Sequence, residues 1–353
     1  MMENQRCQKL AHNADMNYKW SLKDYPKKHN KTVFTTFACG GGSTMGYKLA
    51  GYNVLGANDI DPKMEMIYRK NHNPKHYFLC DIRDLINSEL PKELYNLDIL
   101  DGSPPCTSFS IAGNREKDWG KKKKFSEGQA FQKLDDLYFR FLELAEKLKP
   151  KVIITENVAG LVQGKAKTYW RNILKKFDEI GYTAQTFMLN GATMGVPQAR
   201  VRVFIIGHRK DIDLPKLKLG FNERPIILQQ IEKDTTDICG AELSDAYKKW
   251  WIKMGSKYGS FSKVHPKGSF FNTAKCSPYR VLNTIIATSG AKMTHYSKPN
   301  ELSSEILKLA GSFPQDYDFM GLNIKYVIGM SVPPLMIAKV SEQVKKQWLD
   351  NIK

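Results

Sequence analysis

A cysteine and a glutamate, each following an apolar run, are the side chains in this sequence best suited to covalent chemistry. Cys106 closes the Gly-Ser-Pro-Pro-Cys segment 102–106 just after the run 97–100, and Glu156 follows the run 152–155. Short apolar runs of this kind predict buried strands, so both side chains are expected at strand carboxyl ends. A thiol nucleophile and a carboxylic acid held together there can activate an electron-poor ring by covalent addition.

Each of these two residues also has a structural interpretation. A lone cysteine is usually a buried, inert thiol. The two prolines before Cys106 stiffen a loop at the strand end where open α/β sheets bind their ligands, which favours a nucleophile. Glu156 could instead cap the turn at Asn157, and Asn157 itself is expected to brace the loop. We interpret Cys106 and Glu156 as the candidate catalytic pair.

A glycine-rich turn near the N-terminus could hold a cofactor. The apolar run 32–38 predicts a buried parallel strand that leads directly into Cys-Gly-Gly-Gly-Ser-Thr-Met-Gly at 39–46. Glycines permit a tight turn and close approach of the backbone to a ligand. A second predicted strand, 52–57, ends near Asp59, which can accept hydrogen bonds from two ribose hydroxyls. Together these features predict a nucleoside-cofactor site.

Strand-like and helix-like segments alternate between Thr32 and Gly207 and predict an α/β fold with a doubly wound, mostly parallel sheet. Apolar residues on one face predict a helix over 134–148, ended by Pro150, and a second one before Gly181. Residues 211–276 show no strong period. Further helical segments are predicted over the ranges 303–310 and 334–352.

These patterns divide the chain into three expected parts. Residues 1–30 are an N-terminal extension, either a basic arm or an ordered cap. Residues 31–209 and 279–353 are expected to build the catalytic domain, and residues 210–278 a small, irregular inserted domain.

Five motifs in a fixed order carry a family resemblance that runs from about Thr32 to the C-terminal helix. The motifs are Phe37-Ala38-x-Gly40-Gly41-Gly42, Pro104-Pro105-Cys106, Glu156-Asn157-Val158, Gln198-x-Arg200-x-Arg202 and Gly329-x-Ser331-Val332. With these motifs in this order, the chain resembles the DNA (cytosine-5) methyltransferase family, of the bacterial restriction-modification type. The resemblance implies the fold of S-adenosylmethionine-dependent methyltransferases, S-adenosyl-L-methionine as cofactor, and 5-methylcytosine in DNA as product. It also implies that residues 210–278 are the target-recognition domain.

The resemblance assigns roles to individual residues. Cys106 is expected to attack C6 of a flipped cytosine while Glu156 donates a proton to N3. Arg202 is expected to contact the base or the glutamate, and Arg200 to support phosphate and pocket; the alternative is solvated charge at a strand edge. The residues expected at the cofactor are Phe37, Ala38, Gly40, Gly41, Gly42, Asp59, Ile60, Asp81, Ile82, Pro105, Leu137, Ser331 and Val332.

Two of the cofactor assignments have an alternative. Asp81 could be a helix N-cap before Ile82 rather than a third strand end at the pocket. Leu137 could belong to the core, since it lies on the apolar face of its helix.

The expected DNA contacts come mainly from the polar segment that follows Cys106. Small residues suit a mobile loop that fills the space left by a flipped base, and lysines suit phosphates, although a solvated charge run is the alternative. Gln198 is expected to bind DNA or to close its motif by backbone contacts. The expected DNA-binding residues are Ser108, Ser110, Lys121, Lys122, Lys123, Lys124 and Gln198.

The sequence departs from the family pattern at several places. Cys39 and Met330 stand where the family usually has Gly and Asn, respectively. The Cys39 side chain is expected to crowd the methionine end of the cofactor, although Gly40 to Gly42 leave compensating room, and Met330 removes a polar contact near the cofactor. The Arg-Glu pair usual before Phe-Pro in the ninth motif is not clear in residues 302–305.

Composition favours a polyanionic partner. The formal net charge is +18 and the isoelectric point about 9.4, which fits double-stranded DNA, although a lysine-rich genome would also produce it. The six cysteines form no Cys-x-x-Cys pair, so no metal is expected. No signal peptide or membrane span is evident, and a cytoplasmic, nucleoid-associated monomer is expected. A restriction endonuclease acting on the same DNA site is a candidate partner.

Two rival functions make different demands on the sequence. A transfer-RNA cytosine-5 methyltransferase of the related group shares Pro-Pro-Cys but carries a Cys-Phe-Thr triplet, which is absent here. A catalytically inactive DNA-binding paralogue would be expected to lack Cys106 or Glu156, and both are present.

Overall fold

A mostly parallel sheet is the centre of the computed structural model, which describes residues 17–105, 136–164, 166–288 and 290–352. In chain order its strands are β1 (Thr32–Thr36), β2 (Asn53–Asp59), β3 (His76–Leu79), β4 (Ile99–Gly102), β5 (Val152–Val158), β6 (Tyr182–Asn190) and β8 (Val201–Arg209). A two-residue strand, β7 (Gln198–Ala199), precedes β8 in the chain but is not part of this sheet. Among the described residues the order across the sheet is β3-β2-β1-β4-β5-β8-β6. The first five strands are parallel, and β8 runs antiparallel to both of its neighbours. The predicted doubly wound, mostly parallel α/β class is confirmed.

Helices cover both faces of this sheet. They are α1 (Gly42–Leu49), α2 (Pro62–His72), α3 (Ile82–Asn87), α4 (Leu137–Leu148) and α5 (Ala166–Glu179). Alternate residues of each strand face opposite sides. Accordingly, Phe34 and Ile153 pack with α4 on one side, while Val33 and Ile154 pack with α1 on the other. The helices predicted around 134–148 and before Gly181 are confirmed in the residues described.

A second, smaller sheet follows in the chain. Two helices precede or interrupt it, α6 (Leu228–Glu232) and α7 (Asp245–Met254). Its strands are β9 (Cys239–Glu242), β10 (Gly259–Ser260), β11 (Ala274–Lys275), β13 (Met293–Thr294) and β14 (Asn300–Leu302), and β12 (Leu282–Asn283) pairs instead with β7. Since β13 and β14 follow residue 278, the predicted domain boundary at that residue cuts through this sheet. The three-part division of the chain stays a prediction.

Helix α7 corrects the prediction that residues 211–276 lack a period. Tyr247, Trp250, Trp251 and Met254 recur at helical spacing, and Trp250 and Met254 are buried in a small cluster with Phe261. This face packs against residues 261–270, which follow α7 in the chain, and forms a cluster separate from those of the main sheet. Helix α7 is only ten residues long and lies between turns, so its helical periodicity is hard to recognise in the sequence.

The C-terminal helices complete the main body. These are α8 (Ser304–Ala310), α9 (Ile324–Met330) and α10 (Pro334–Gln347), and α10 packs along α1. The described part of the N-terminal extension is ordered against this region, because Trp20 is buried and its Nε1 donates to the Ser312 carbonyl at 2.9 Å. Within the described ranges, every helix is too short or too polar to cross a bilayer.

Candidate active site

A cavity of about 630 Å³ opens at the carboxyl ends of the parallel strands, where open α/β sheets bind ligands. Both halves of the predicted site line it. From the sequence-predicted set the lining residues are Phe37, Ala38, Gly42, Asp59, Ile60, Asp81, Ile82, Pro105, Leu137, Glu156, Arg200, Arg202, Ser331 and Val332. Cys106, Ser108, Ser110 and Lys121 to Lys124 lie outside the described residues.

The glycine-rich turn sits against its neighbours with no room for side chains. Gly41 has a φ of +81°, and a Cβ atom there would lie 2.2 Å from Nε2 of His72. A Cβ on Gly40 would lie 2.7 Å from Cγ1 of Val327. These two glycines therefore do not line the cavity; they let the turn pack closely onto α2 and α9.

Cys39 stands in this turn with a left-handed φ of +46°, a conformation that favours glycine. Its Sγ lies 3.6 Å from Sδ of Met64 and 3.8 Å from Oγ of Ser331, so the side chain fills space at the cavity wall. Burial raises the pKa of this thiol to about 12, and nearby Asp59 acts in the same direction. Cys39 is therefore a neutral packing group rather than a second nucleophile.

Asp59 ends β2 and points its carboxylate toward the turn. Oδ2 accepts a hydrogen bond from the Cys39 N–H at 2.7 Å, and Oδ1 accepts one from the Asp61 N–H at 3.0 Å. Burial raises the pKa of Asp59, and these backbone donors oppose that effect. Each oxygen retains a lone pair toward the cavity, which suits two neighbouring hydroxyl donors.

Asp81 fits both of its sequence-based interpretations. It caps α3 through a hydrogen bond from the Arg83 N–H to Oδ1 (2.9 Å), and it also lines the cavity beside Ile82. Leu137, the first residue of α4, likewise lines the cavity and belongs to the buried core.

Glu156 is held at the cavity wall by an arginine. It is 7% exposed, and its Oε1 lies 2.9 Å from Nε of Arg202. Oε1 is shielded from solvent, and its contact with Arg202 is an ion pair rather than a well-aligned hydrogen bond. A buried carboxylate that lines a cavity beside an arginine is a candidate ligand-binding group.

Arg200 lies just before β8 and is almost fully buried, at 3% exposed. Its guanidinium donates to the carbonyls of Ile285 (3.3 Å), Gly329 (3.1 Å) and Ser331 (2.9 Å). Burial lowers the pKa of Arg200 to about 9, and the neighbouring Arg202 adds to this, while Glu156 opposes it. Arg200 thus ties the pocket wall to the loop after α9, and it is not solvated strand-edge charge.

Gln198 is not placed to bind DNA. Its side chain is fully buried, its Nε2 donates to the Ala310 carbonyl at 2.8 Å, and its Oε1 accepts from the Ile285 N–H at 3.1 Å. The predicted DNA contact is therefore wrong for this conformation, because the amide is used to join β7 to α8. The alternative expectation of backbone contacts agrees with these bonds.

The loop before Cys106 is fixed by Asn157, as expected. Asn157 Nδ2 donates to the Pro104 carbonyl at 3.0 Å, and its Oδ1 accepts from the Val158 N–H at 2.9 Å. Pro105, like Glu156, lines the cavity. The described part of the Pro-Pro-Cys motif therefore borders the same cavity as the candidate acid.

Several cavity residues escaped the sequence analysis. Phe271 and Asn272, in the loop between β10 and β11, line the cavity, and Phe271 is 71% exposed. Ser43 and Ser103 also line it, and the buried Ser103 Oγ has no hydrogen-bond partner among the described residues. The loop residues follow no period, and an isolated serine carries no sequence signal.

The sheet, the glycine-rich turn and the acid at the end of β2 define an S-adenosylmethionine-dependent methyltransferase fold. A family model described as C-5 cytosine-specific DNA methylase matches residues 32–346. The chain belongs to this family and is a DNA cytosine-5 methyltransferase. The family and the fold imply S-adenosylmethionine as the cofactor and DNA as the substrate.

Relatives and solved structures agree with this assignment. The type II methyltransferase M.NgoPII of Neisseria gonorrhoeae is 25% identical over 89% of this chain and 95% of its own length. M.MthTI of Methanothermobacter thermautotrophicus is 26% identical over 90% and 98%, respectively. An Escherichia coli prophage-encoded structure described as a DNA modification methyltransferase has a TM-score of 0.67 at 18% identity, covering 91% of this chain and 100% of its own. That last likeness concerns the fold alone.

Proposed function

We propose that this chain methylates C5 of a cytosine flipped out of a specific double-stranded DNA sequence, through a covalent bond between Cys106 and C6. The observation that carries the proposal is the meeting of two separate motifs at one cavity. Glu156 lines it in an ion pair with Arg202, and Asn157 fixes the Pro104-Pro105 loop that precedes Cys106 in the sequence. The rival transfer-RNA and inactive-paralogue functions are not favoured by the family match.

The cavity residues around Asp59 fit an S-adenosylmethionine molecule. Asp59 offers two carboxylate oxygens for the ribose hydroxyls, and Phe37, Ile60, Ile82 and Leu137 provide apolar walls for a flat base. The molecule would supply an electrophilic methyl group on a positively charged sulfur. The protein's part is to orient it and to exclude water, with Ser331 and Val332 closing the wall.

The proposed chemistry follows from the weak nucleophilicity of C5. Cys106 as thiolate forms an S–C6 bond while Glu156 donates a proton to N3, and the resulting enamine makes C5 nucleophilic. The methyl group would then pass from the donor's sulfur to C5 and leave a neutral thioether. Water accepts the C5 proton, the C5–C6 double bond re-forms as the thiolate leaves C6, and N3 returns its proton to Glu156. Arg202 keeps Glu156 directed into the pocket throughout.

DNA recognition is assigned to residues 210–278, with the described loop that carries Phe271 and Asn272 next to the pocket. Lys121 to Lys124 would add contacts to phosphates that do not depend on sequence. A monomer acting on the nucleoid in the cytoplasm, together with a restriction endonuclease for the same sequence, completes the proposal.

Bisulfite sequencing of DNA from a methylation-free bacterial host that expresses the chain tests this function. Protected cytosines should recur at one position of one short sequence. The Cys106→Ala variant should leave the DNA unprotected, whereas Cys239→Ala, which removes a thiol outside the cavity, should not. The proposal would be contradicted if no cytosine of the host DNA were protected, or if methylation were found only in transfer RNA.

The ribose assignment predicts the effect of Asp59→Ala on cofactor binding. The loss of two charge-assisted hydrogen bonds should weaken affinity by about 1.5–3 kcal/mol. Calorimetric titration with S-adenosylhomocysteine measures this, and Asp84→Ala, on the exposed side of α3, is the matched control. An unchanged dissociation constant for Asp59→Ala would show that the ribose binds elsewhere.

A further inference from the structure

A buried carboxyl group lies behind the cofactor end of the cavity and has no place in the mechanism above. Asp101, in β4, is 1% exposed. Ile99 and Asp101 share one face of the sheet, and Ile154 and Glu156 of the adjacent β5 share the same face, by strand alternation and register. Among the described residues, no lysine, arginine or histidine forms an ion pair with Asp101.

Two hydroxyl groups connect Asp101 to the cavity wall. Tyr47 of α1 donates its hydroxyl to Oδ1 at 3.0 Å, and the Ser43 hydroxyl donates from the first turn of the same helix. Ser43 itself lines the cavity, next to the glycine-rich turn. The carboxyl group is therefore one side chain behind the surface that the cofactor would contact.

The surroundings of Asp101 make its negative charge costly. Burial raises its pKa to about 7, Tyr47 and Ser43 lower it by hydrogen bonding, and the negative Glu156 raises it. Of the described charged groups, Glu156 is the one that acts on it. Tyr47 and Tyr68 are neutral, because burial raises the pKa of both phenols, and α10 covers α1 with an apolar face. A positive charge in the cavity would relieve this cost.

The methyl donor and the product of the transfer differ in charge. The donor carries a sulfonium cation, whereas the demethylated product is a neutral thioether with the same ribose, base, amino and carboxylate groups. We propose that Asp101 is the counter-charge that lets this cavity hold the cationic donor in preference to the neutral product. This inference rests on the proposed use of S-adenosylmethionine.

The proposal has a definite pH dependence. A bound cation stabilises the carboxylate, so the donor complex binds fewer protons than the free protein. Affinity for the donor should therefore rise as the pH increases toward 7 and level off above it. Affinity for the demethylated product should lack this pH-dependent gain, because the thioether brings no positive charge close to Asp101.

Calorimetric titration of S-adenosylmethionine and S-adenosylhomocysteine between pH 6 and 8.5, in two buffers of different ionisation enthalpy, tests the proposal. In the wild type the affinity ratio of donor to product should rise roughly 3–10-fold over this range, since each unit of pKa shift corresponds to tenfold in affinity. Donor binding near pH 7 should release protons beyond those released by the product. In Asp101→Asn both effects should disappear, and the comparison cancels any contribution from the amino group of the ligands.

Tyr47→Phe provides a second variant that keeps the acid. Loss of its hydrogen bond should raise the pKa of Asp101, so the rise in the affinity ratio should move to higher pH. Asp98→Asn, one residue before β4, is the matched control, because the Asp98 carboxylate already pairs with Lys151 (2.7 Å), and it should behave like the wild type.

A wild-type ratio that does not change with pH, or a change that persists in Asp101→Asn, would overturn the inference. A Tyr47→Phe midpoint identical to that of the wild type would also contradict it. Failure of the wild type to bind S-adenosylmethionine at any pH would instead contradict the proposed function, so the two failures are distinguishable.

Discussion

Replacing Cys106 with alanine should abolish methyl transfer to DNA while leaving S-adenosylmethionine binding close to the wild-type level. Without the thiolate no bond to C6 can form, and C5 of cytosine remains too weak a nucleophile to take the methyl group. Cofactor binding should survive because most residues proposed for it lie just after β1, at the end of β2, at the starts of α3 and α4 and in the loop after α9. Transfer of a radioactive methyl group to DNA and calorimetry with the cofactor measure the two quantities.

Cys239→Ala is the control for the general effect of removing a thiol, since Cys239 lies on β9 outside the cavity. A DNA duplex that carries 5-fluorocytosine at the target supplies an independent readout. Fluorine cannot leave C5 as a proton does, so the wild type should form a stable covalent adduct and Cys106→Ala should not. Substantial turnover by Cys106→Ala would refute the covalent mechanism.

The second large effect is expected from Glu156→Gln, which should slow the chemical step by roughly 100-fold or more. Glutamine keeps the shape of the side chain but cannot donate an acidic proton to N3. The substitution also abolishes the ion pair between residue 156 and Arg202. Single-turnover methylation at saturating cofactor separates this effect from DNA binding and product release. Cofactor affinity should change far less than the chemical step, because Glu156 makes none of the contacts proposed for the ribose and the base of the cofactor.

Glu179→Gln, at the exposed end of α5, controls for the loss of one negative charge from a basic protein. A single-turnover rate equal to that of the wild type would reassign Glu156 to a structural role. If Glu156→Gln showed a normal single-turnover rate but weaker DNA binding, the ion pair of Glu156 with Arg202 would serve substrate binding and not proton transfer.

The elements that position the site were predictable where one strand or helix carries its own periodic signal. The runs before Cys106 and Glu156 and the strand before Cys39 are long enough to be recognised, and the ends of parallel strands meet at one edge. Asp59 and Glu156 therefore line one cavity, as their places in the sequence indicated. Helix α4 was predictable for the same reason, since its apolar face extends over several turns.

What the sequence could not reveal depends on contacts between distant segments. Arg200 is buried because carbonyls 85 to 131 residues further along the chain surround it. Two-residue strands such as β10 and β11 are too short to show alternation. Asp101 directly follows the apolar run 97–100, and no neighbouring residue marks it as a charged group beside a ligand site.

The hydrogen bonds of Arg200 also bear on how the protein is made. The cavity is walled by the early strands of the sheet and also by Ser331 and Val332, which are translated far later. Until that later segment emerges, a guanidinium destined for burial lacks two of its three carbonyl acceptors. A nascent chain that has folded only the first strands of the sheet therefore has no complete cavity for the methyl donor.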